Sequence, residues 1–239
     1  MFDGLFTDLV DFNQDLFRNI ATCNPGQDLF DDLSDDPEDW SFAIGAETAS
    51  ASWSPQPLIE RPFDYGTVIS FPYMMENWQQ TRFSDGLDFG VWYGSLSLKT
   101  TLYETCFHWI RFIRDSFPDY EENIVADRRV FLARVKALLV DLQEKTAQFP
   151  ALLDKNDYNF THAVGRYVHE QNQNGLLTQS ARHEGINAAI FKAKVLSNIR
   201  DYNMLSYHWQ PTSNTIQIKR QSILHHSIHL EELLSQHTA

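Results

Sequence analysis

The feature that most constrains this chain is a stretch that cannot build a core. Residues 24–40 hold Pro25 and Gly26 followed by Asp28, Asp31, Asp32, Asp35, Asp36, Glu38 and Asp39, an acidic loop with room for at most a short helix. Residues 45–57 read GAETASASWSPQP, and this small-residue, proline-rich composition marks a linker. Folded structure must therefore lie on either side of it. The boundary is placed near residue 56, with an acidic, partly helical extension over 1–55 and a domain over 56–239. Within the extension, Phe2, Leu5, Phe6, Leu9, Val10, Phe12, Leu16, Phe17 and Ile20 recur at near-helical spacing. That pattern predicts an amphipathic helix over residues 1–20.

Composition narrows the partners. A formal net charge of −13 is repelled by phosphate backbones, which makes nucleic acid a poor direct partner while leaving room for a local basic pocket. Two cysteines, Cys23 and Cys106, give no disulfide framework and fit a reducing, cytoplasmic setting. The start, MFDGLFTDLVDF, lacks the basic and continuous apolar regions of a signal peptide. No run of about 18 apolar residues is present, so no spanning helix and no membrane association are expected. Asn159-Phe-Thr161 matches a glycosylation acceptor, an accidental match without secretion.

Beyond the linker, residues 65–73 and 89–95 read as strands, and a helix runs from about Lys99 to Ser116, stopped by Pro118. Residues 128–142 fit a helix by propensity and strands by alternation, and the short apolar runs do not decide between them. A helix over 158–171, capped by Asp157, precedes strands at 176–180 and 186–191. Residues 204–209 and 215–219 form a hairpin pattern.

Three passages are organised around something other than packing: Thr81–Gly86, Val91–Ser95 leading to Glu104, and Gly175–Asn187. Arg82 opens a turn where its planar guanidinium can meet a diphosphate; the bland alternative is a surface ion pair with Asp85 or Asp88. Tyr93 can stack on a flat heterocycle or serve as a core tyrosine. Glu104 stands in an otherwise apolar helix, where a carboxylate must find a partner, line a cavity or face solvent. Ser180 is outside any Gly-x-Ser-x-Gly elbow, so it suits hydrogen bonding to a carboxylate or ribose, or a plain turn, better than nucleophilic attack.

In combination these passages resemble the Res domain, a family named for its Arg, Glu and Ser. Arg82-Phe83 with Asp85-Gly86, Val91-Trp92-Tyr93 leading to Glu104, and Gly175 through Ser180-Ala181-Arg182 to Gly185-Ile186-Asn187 carry the resemblance over roughly residues 56–220. Tyr93 lies eleven residues after Arg82, and Glu104 eleven after Tyr93. The resemblance implies an α+β fold with an ADP-ribosyltransferase-like split mixed β-sheet, flanking helices and an NAD cleft. It turns residues 128–136 and 137–142 into strands. It also implies a toxin of a toxin–antitoxin pair, with an Xre-type antitoxin as partner, that consumes NAD as substrate by hydrolysis or phosphorolysis. In that scheme Arg82 holds the dinucleotide, Tyr93 packs on nicotinamide, Glu104 stabilises the cationic ribose, and Ser180 orients NAD or Glu104. Arg61, in Ile59-Glu60-Arg61-Pro62-Phe63, is the positional match for a further family arginine that binds NAD. The first 55 residues have no counterpart in a minimal Res domain, and covering the site, forming a homodimer, binding a partner and aiding solubility are all open to them.

Other chemistries fit less well. His225 and His229 would share a helix face, yet no His-Glu-x-x-His signature or third ligand accompanies them, so no metal is expected. Cys106 and His108 point to different faces of one helix and make a poor catalytic pair. No Gly-x-Gly-x-x-Gly or Walker loop occurs, so NAD would not be held in the Rossmann manner. Two further function classes are a transferase that moves ADP-ribose to a protein and a non-enzymatic interaction module on a decayed scaffold. The complete Arg82–Tyr93–Glu104–Ser180 set speaks against decay.

Overall fold

The computed structural model describes residues 2–21, 65–117 and 122–234. The acidic stretch, the linker, the boundary near residue 56, Arg61 and Cys23 lie outside the described residues. In chain order the main elements are β1 (Leu9–Ala21), α1 (Tyr65–Ser70), β2 (Trp92–Ser95), α2 (Leu98–Ser116) and β3 (Ile124–Asp141). They continue with α3 (Asn159–Glu170), β4 (Gly175–Gln179), β5 (Ile186–Ile190), β6 (Leu196–Trp209), β7 (Thr215–Arg220), β8 (Ile223–His229) and α4 (Leu230–Leu234). The architecture is α+β, a mixed sheet with flanking helices.

β3 is the spine of the sheet. One of its edges pairs with β1 from Leu9↔Val140 to Ala21↔Arg128. It also pairs antiparallel with β6 and, at Val140↔Leu176, in parallel with β4. β1 reaches β2 as well, at Phe17↔Ser95, so β1, β2, β5, β4 and β3 close into a ring. From β3 the strands β6, β7 and β8 extend outward as a second wing. The sequence left 128–142 open between helix and strand; it lies in one strand of 18 residues, down to Asp141.

Three sequence expectations fail locally. The helix predicted over 1–20 is a turn followed by β1. Its buried residues, Phe12 and Leu16, are four apart, a spacing that suits one helix face and one strand face equally. The long unpaired edge of β3 decides for the strand, because it satisfies the backbone of the whole segment at once. The strand read at 65–73 is α1 followed by a 3-10 turn at Phe71–Tyr73. Pro72 lacks the N–H that a ladder needs and fits a first helical turn. His225 and His229 lie on β8 rather than on a helix.

All five ring strands contribute to one apolar cluster that includes Phe12, Leu16, Trp92, Phe131, Leu177 and Ile190. A second cluster packs α2 against β6, β7 and β8, and a third packs α3 against the ring. Cys106 is buried in the second of these, and burial pushes its thiol up, away from reactivity. His108, two residues on, is exposed. No helix among the described residues is long and apolar enough to cross a membrane.

Candidate functional site

Alternation along β2 sorts its side chains. Trp92 belongs to the cluster inside the ring, so Tyr93 and Ser95 share the opposite face. That face looks toward the start of α2, whose cap is Ser97: its Oγ accepts from the Thr100 N–H at 3.1 Å. Glu104 follows one turn later and is half-buried.

Glu104 is held from two elements. Ser180, in the turn after β4, donates through Oγ to Glu104 Oε1 at 2.6 Å. Asn187, on β5, donates through Nδ2 to the same oxygen at 2.6 Å. The Ser180 hydroxyl oxygen in turn accepts from the backbone N–H groups of Arg182 and His183, at 3.0 and 3.1 Å. Its proton and both lone pairs are thereby committed, which suits orientation and not nucleophilic attack. Gly185 closes this turn: a Cβ there would meet Thr100 Oγ1 at 2.0 Å.

Arg82 and Tyr93 form a second pair. The Tyr93 hydroxyl lies 2.9 Å from Thr81 Oγ1 and accepts from the Phe83 N–H at 2.9 Å. It thus grips the turn that carries Arg82. Burial pushes this hydroxyl up to about 12, against the opposing pull of the bonds to Thr81 and Phe83. The Arg82 Nη1 donates to the carbonyls of Leu152 and Asp154 at 3.0 and 2.8 Å. Neither ion pair weighed for it forms: Asp85 binds Arg166, and Arg82 makes no salt bridge to Asp88. α3 passes close behind the turn, where a Cβ on Gly165 would sit 1.9 Å from the Phe83 carbonyl oxygen.

Tyr158 joins the two pairs. The Arg82 guanidinium lies over its ring at 4.9 Å, and Arg182 Nη2 donates to its hydroxyl at 3.3 Å. Arg182 is 2% exposed and also donates to the Lys155 carbonyl at 2.6 Å, with its guanidinium over Phe107 at 3.5 Å. Burial holds the Arg182 and Lys155 cations below their usual ranges; Arg82 adds to this at Arg182, while Glu104 opposes it at both. In a chain of net charge −13, this is a local concentration of positive charge beside one carboxylate.

Of the residues singled out in the sequence, Glu104 and Ser180 touch directly, Arg82 and Tyr93 meet through Thr81 and Phe83, and Tyr158 with Arg182 links the pairs. Arg61 lies outside the described residues. Sequence reasoning gave no role to Asn187 or Arg182, though both stood in the quoted motif. It also missed Arg18 on β1, whose Nη1 donates to the Tyr93 carbonyl at 2.9 Å while its guanidinium lies over Trp92 at 5.0 Å. Burial pulls Arg18 down to about 10. A lone arginine in a segment read as a helix gave no sign of this.

Chemically, the arrangement offers one fixed carboxylate next to a set of guanidiniums, the pairing that a developing cation attached to a polyanion would need. The family model of the RES domain matches residues 59–210. Among solved structures, a chain in the crystal structure of the M. tuberculosis MbcT–MbcA toxin–antitoxin complex is similar at 13% identity and a TM-score of 0.44, over 81% of this chain and 86% of that one. No curated protein matches the chain.

Proposed function

The chain belongs to the RES domain family, and from that premise we propose that it is a toxin that cleaves the nicotinamide–ribose bond of NAD. The observation that carries this reading is the fixing of Glu104 by Ser180 and Asn187 through a single carboxylate oxygen. Two donors on Oε1 orient the group, and Oε2 makes no hydrogen bond among the described residues. A carboxylate of this kind can meet the cationic ribose that forms as the bond breaks.

In this reading the electron pair of the C–N bond leaves with nicotinamide, which departs neutral. The oxocarbenium ion left on the ribose is held by Glu104 until an acceptor adds to it and gives up a proton. Water as acceptor yields ADP-ribose, phosphate yields a phosphorylated ADP-ribose, and a protein side chain yields a modified target. Arg82 binds the diphosphate by its charge and its forked geometry. Tyr93 keeps the Arg82 turn in place through its hydroxyl, and packing of its ring on the nicotinamide is part of the proposal. An antitoxin of the Xre type is the proposed protein partner, and the cytoplasm, where NAD is consumed, is the proposed setting.

Comparing the parent with Glu104→Gln tests this reading. The exchange keeps shape and removes charge, so NAD turnover falls by roughly a hundredfold or more while NAD affinity is largely kept. A Glu104→Gln protein with the parent's turnover contradicts the role given to the carboxylate.

A further inference from the structure

We propose that Asn187 is a positioning residue for this reaction: it turns Glu104 so that Oε1 is occupied and Oε2 faces the substrate, and Ser95 sets the direction of the Asn187 amide. The inference rests on the reading of Glu104 given above. The three side chains form one line, with Ser95 Oγ donating to Asn187 Oδ1 at 2.7 Å and Asn187 Nδ2 donating to Glu104 Oε1 at 2.6 Å.

The direction of this line follows from the groups themselves. An ionised carboxylate only accepts, so the end of Asn187 that meets Glu104 must be the NH2. The carbonyl end is then turned away, toward Ser95, and the Ser95 hydroxyl must donate to it. The backbone supplies the geometry. Ser95 and Asn187 are directly opposed partners in the β2–β5 ladder, which brings their side chains together on one face. Ser95 is 3% exposed, so its hydroxyl needs this bond.

Ser180 alone would not fix the carboxylate. A single bond to Oε1 leaves Glu104 free to swing about that contact, whereas bonds from the β4 turn and from β5 restrain it from two sides. The second donor therefore fixes the plane of the carboxylate, and with it the direction in which Oε2 points. Removing Asn187 takes away one charge-assisted hydrogen bond and that restraint, and leaves Arg82, to which diphosphate binding is assigned, unchanged.

The test is steady-state nicotinamide release from NAD by the full chain, measured for the parent, Asn187→Ala, Ser95→Ala and Glu104→Ala, and for Asn187→Ala and Ser95→Ala each combined with Glu104→Ala. Asn187→Ala should lose roughly tenfold to a hundredfold in kcat, with KM within about threefold of the parent. In the Glu104→Ala background the same change should alter turnover by less than about threefold, because no carboxylate is left to turn. A purely structural Asn187 would lower both backgrounds alike, and that result overturns the proposal. Should Asn187→Ala fail to fold, Ser95→Ala carries the test. It should lose roughly threefold to tenfold in kcat in the parent background and nothing further in Glu104→Ala, and an unchanged kcat overturns the proposal. A parent without turnover refutes the NAD reading itself, whereas an active parent with an equally active Asn187→Ala refutes only the positioning role.

Discussion

Deletion of residues 2–21 should abolish folding, although these residues lie wholly outside the span that the family model matches. The deletion removes β1, which pairs with β3 from Leu9↔Val140 to Ala21↔Arg128 and closes the ring at Phe17↔Ser95. It also removes Leu5, Phe12 and Leu16, which are 0%, 2% and 0% exposed. At about 1.5–3 kcal/mol for each fully buried apolar side chain, their burial contributes roughly 4.5–9 kcal/mol. A domain of this size has a net stability of about 5–15 kcal/mol, so the loss of this burial alone takes from about a third to all of it, before the lost β1–β3 ladder is counted. The exposed edge of β3 then becomes a site for aggregation. Far-UV circular dichroism and urea unfolding read the outcome, with Leu16→Ala as a milder control expected to cost about 2–5 kcal/mol. A soluble deletion variant that unfolds cooperatively at the parent's urea midpoint would show that β1 is dispensable to the fold.

Other variants separate binding from chemistry. Arg82→Ala should raise KM for NAD more than it lowers kcat, because the diphosphate is charged in both ground and transition states; an unchanged KM would count against a diphosphate contact. Gly165→Ala should act in the same direction through the Phe83 carbonyl, which a Cβ would approach to 1.9 Å, and a parent-like KM would show that the turn gives way freely. Tyr93→Phe leaves the Phe83 N–H without its partner and should lower stability at neutral pH by about 1–3 kcal/mol in urea unfolding. Tyr93 also sets an alkaline limit: unfolded tyrosine ionises near 10.0, whereas the folded group is pushed up to about 12. Between these values the unfolded state has lost the proton and the folded state keeps it. The stability from this group is intact below pH 10 and falls by about 1.4 kcal/mol per pH unit from there toward pH 12. Tyr73, Tyr103 and Tyr207 are raised by burial too, so Tyr93→Phe should make the alkaline fall less steep without removing it, and an equal slope in both proteins would exclude a contribution from Tyr93.

The parts of the fold that were legible in the sequence are those whose signal is local. α2 shows both its apolar face and its stopping proline, and the β6–β7 hairpin shows alternation around a turn. β1 was misread because Phe12 and Leu16 satisfy two periods at once, and the residues that decide between them sit more than a hundred positions away on β3. The segment at 65–73 was misread because its aromatic and branched residues outweighed Pro72. At the site, Glu104 and Ser180 were legible only as members of a motif, since no local pattern reports a hydrogen bond across 76 positions. The same distance in sequence hid Asn187, which reaches Glu104 across 83. Arg18 was hidden for a different reason, because its contact with Tyr93 exists only once β1 is a strand.

The most direct test of the central claim is a time course of nicotinamide release from NAD by the purified full chain, run in a metal chelator with and without phosphate and a protein acceptor. Loss of NAD and gain of free nicotinamide should be stoichiometric in every arm, with the acceptor changing only the fate of the ADP-ribose. NAD that remains intact in all arms, together with no binding of NAD by calorimetry, would contradict that claim.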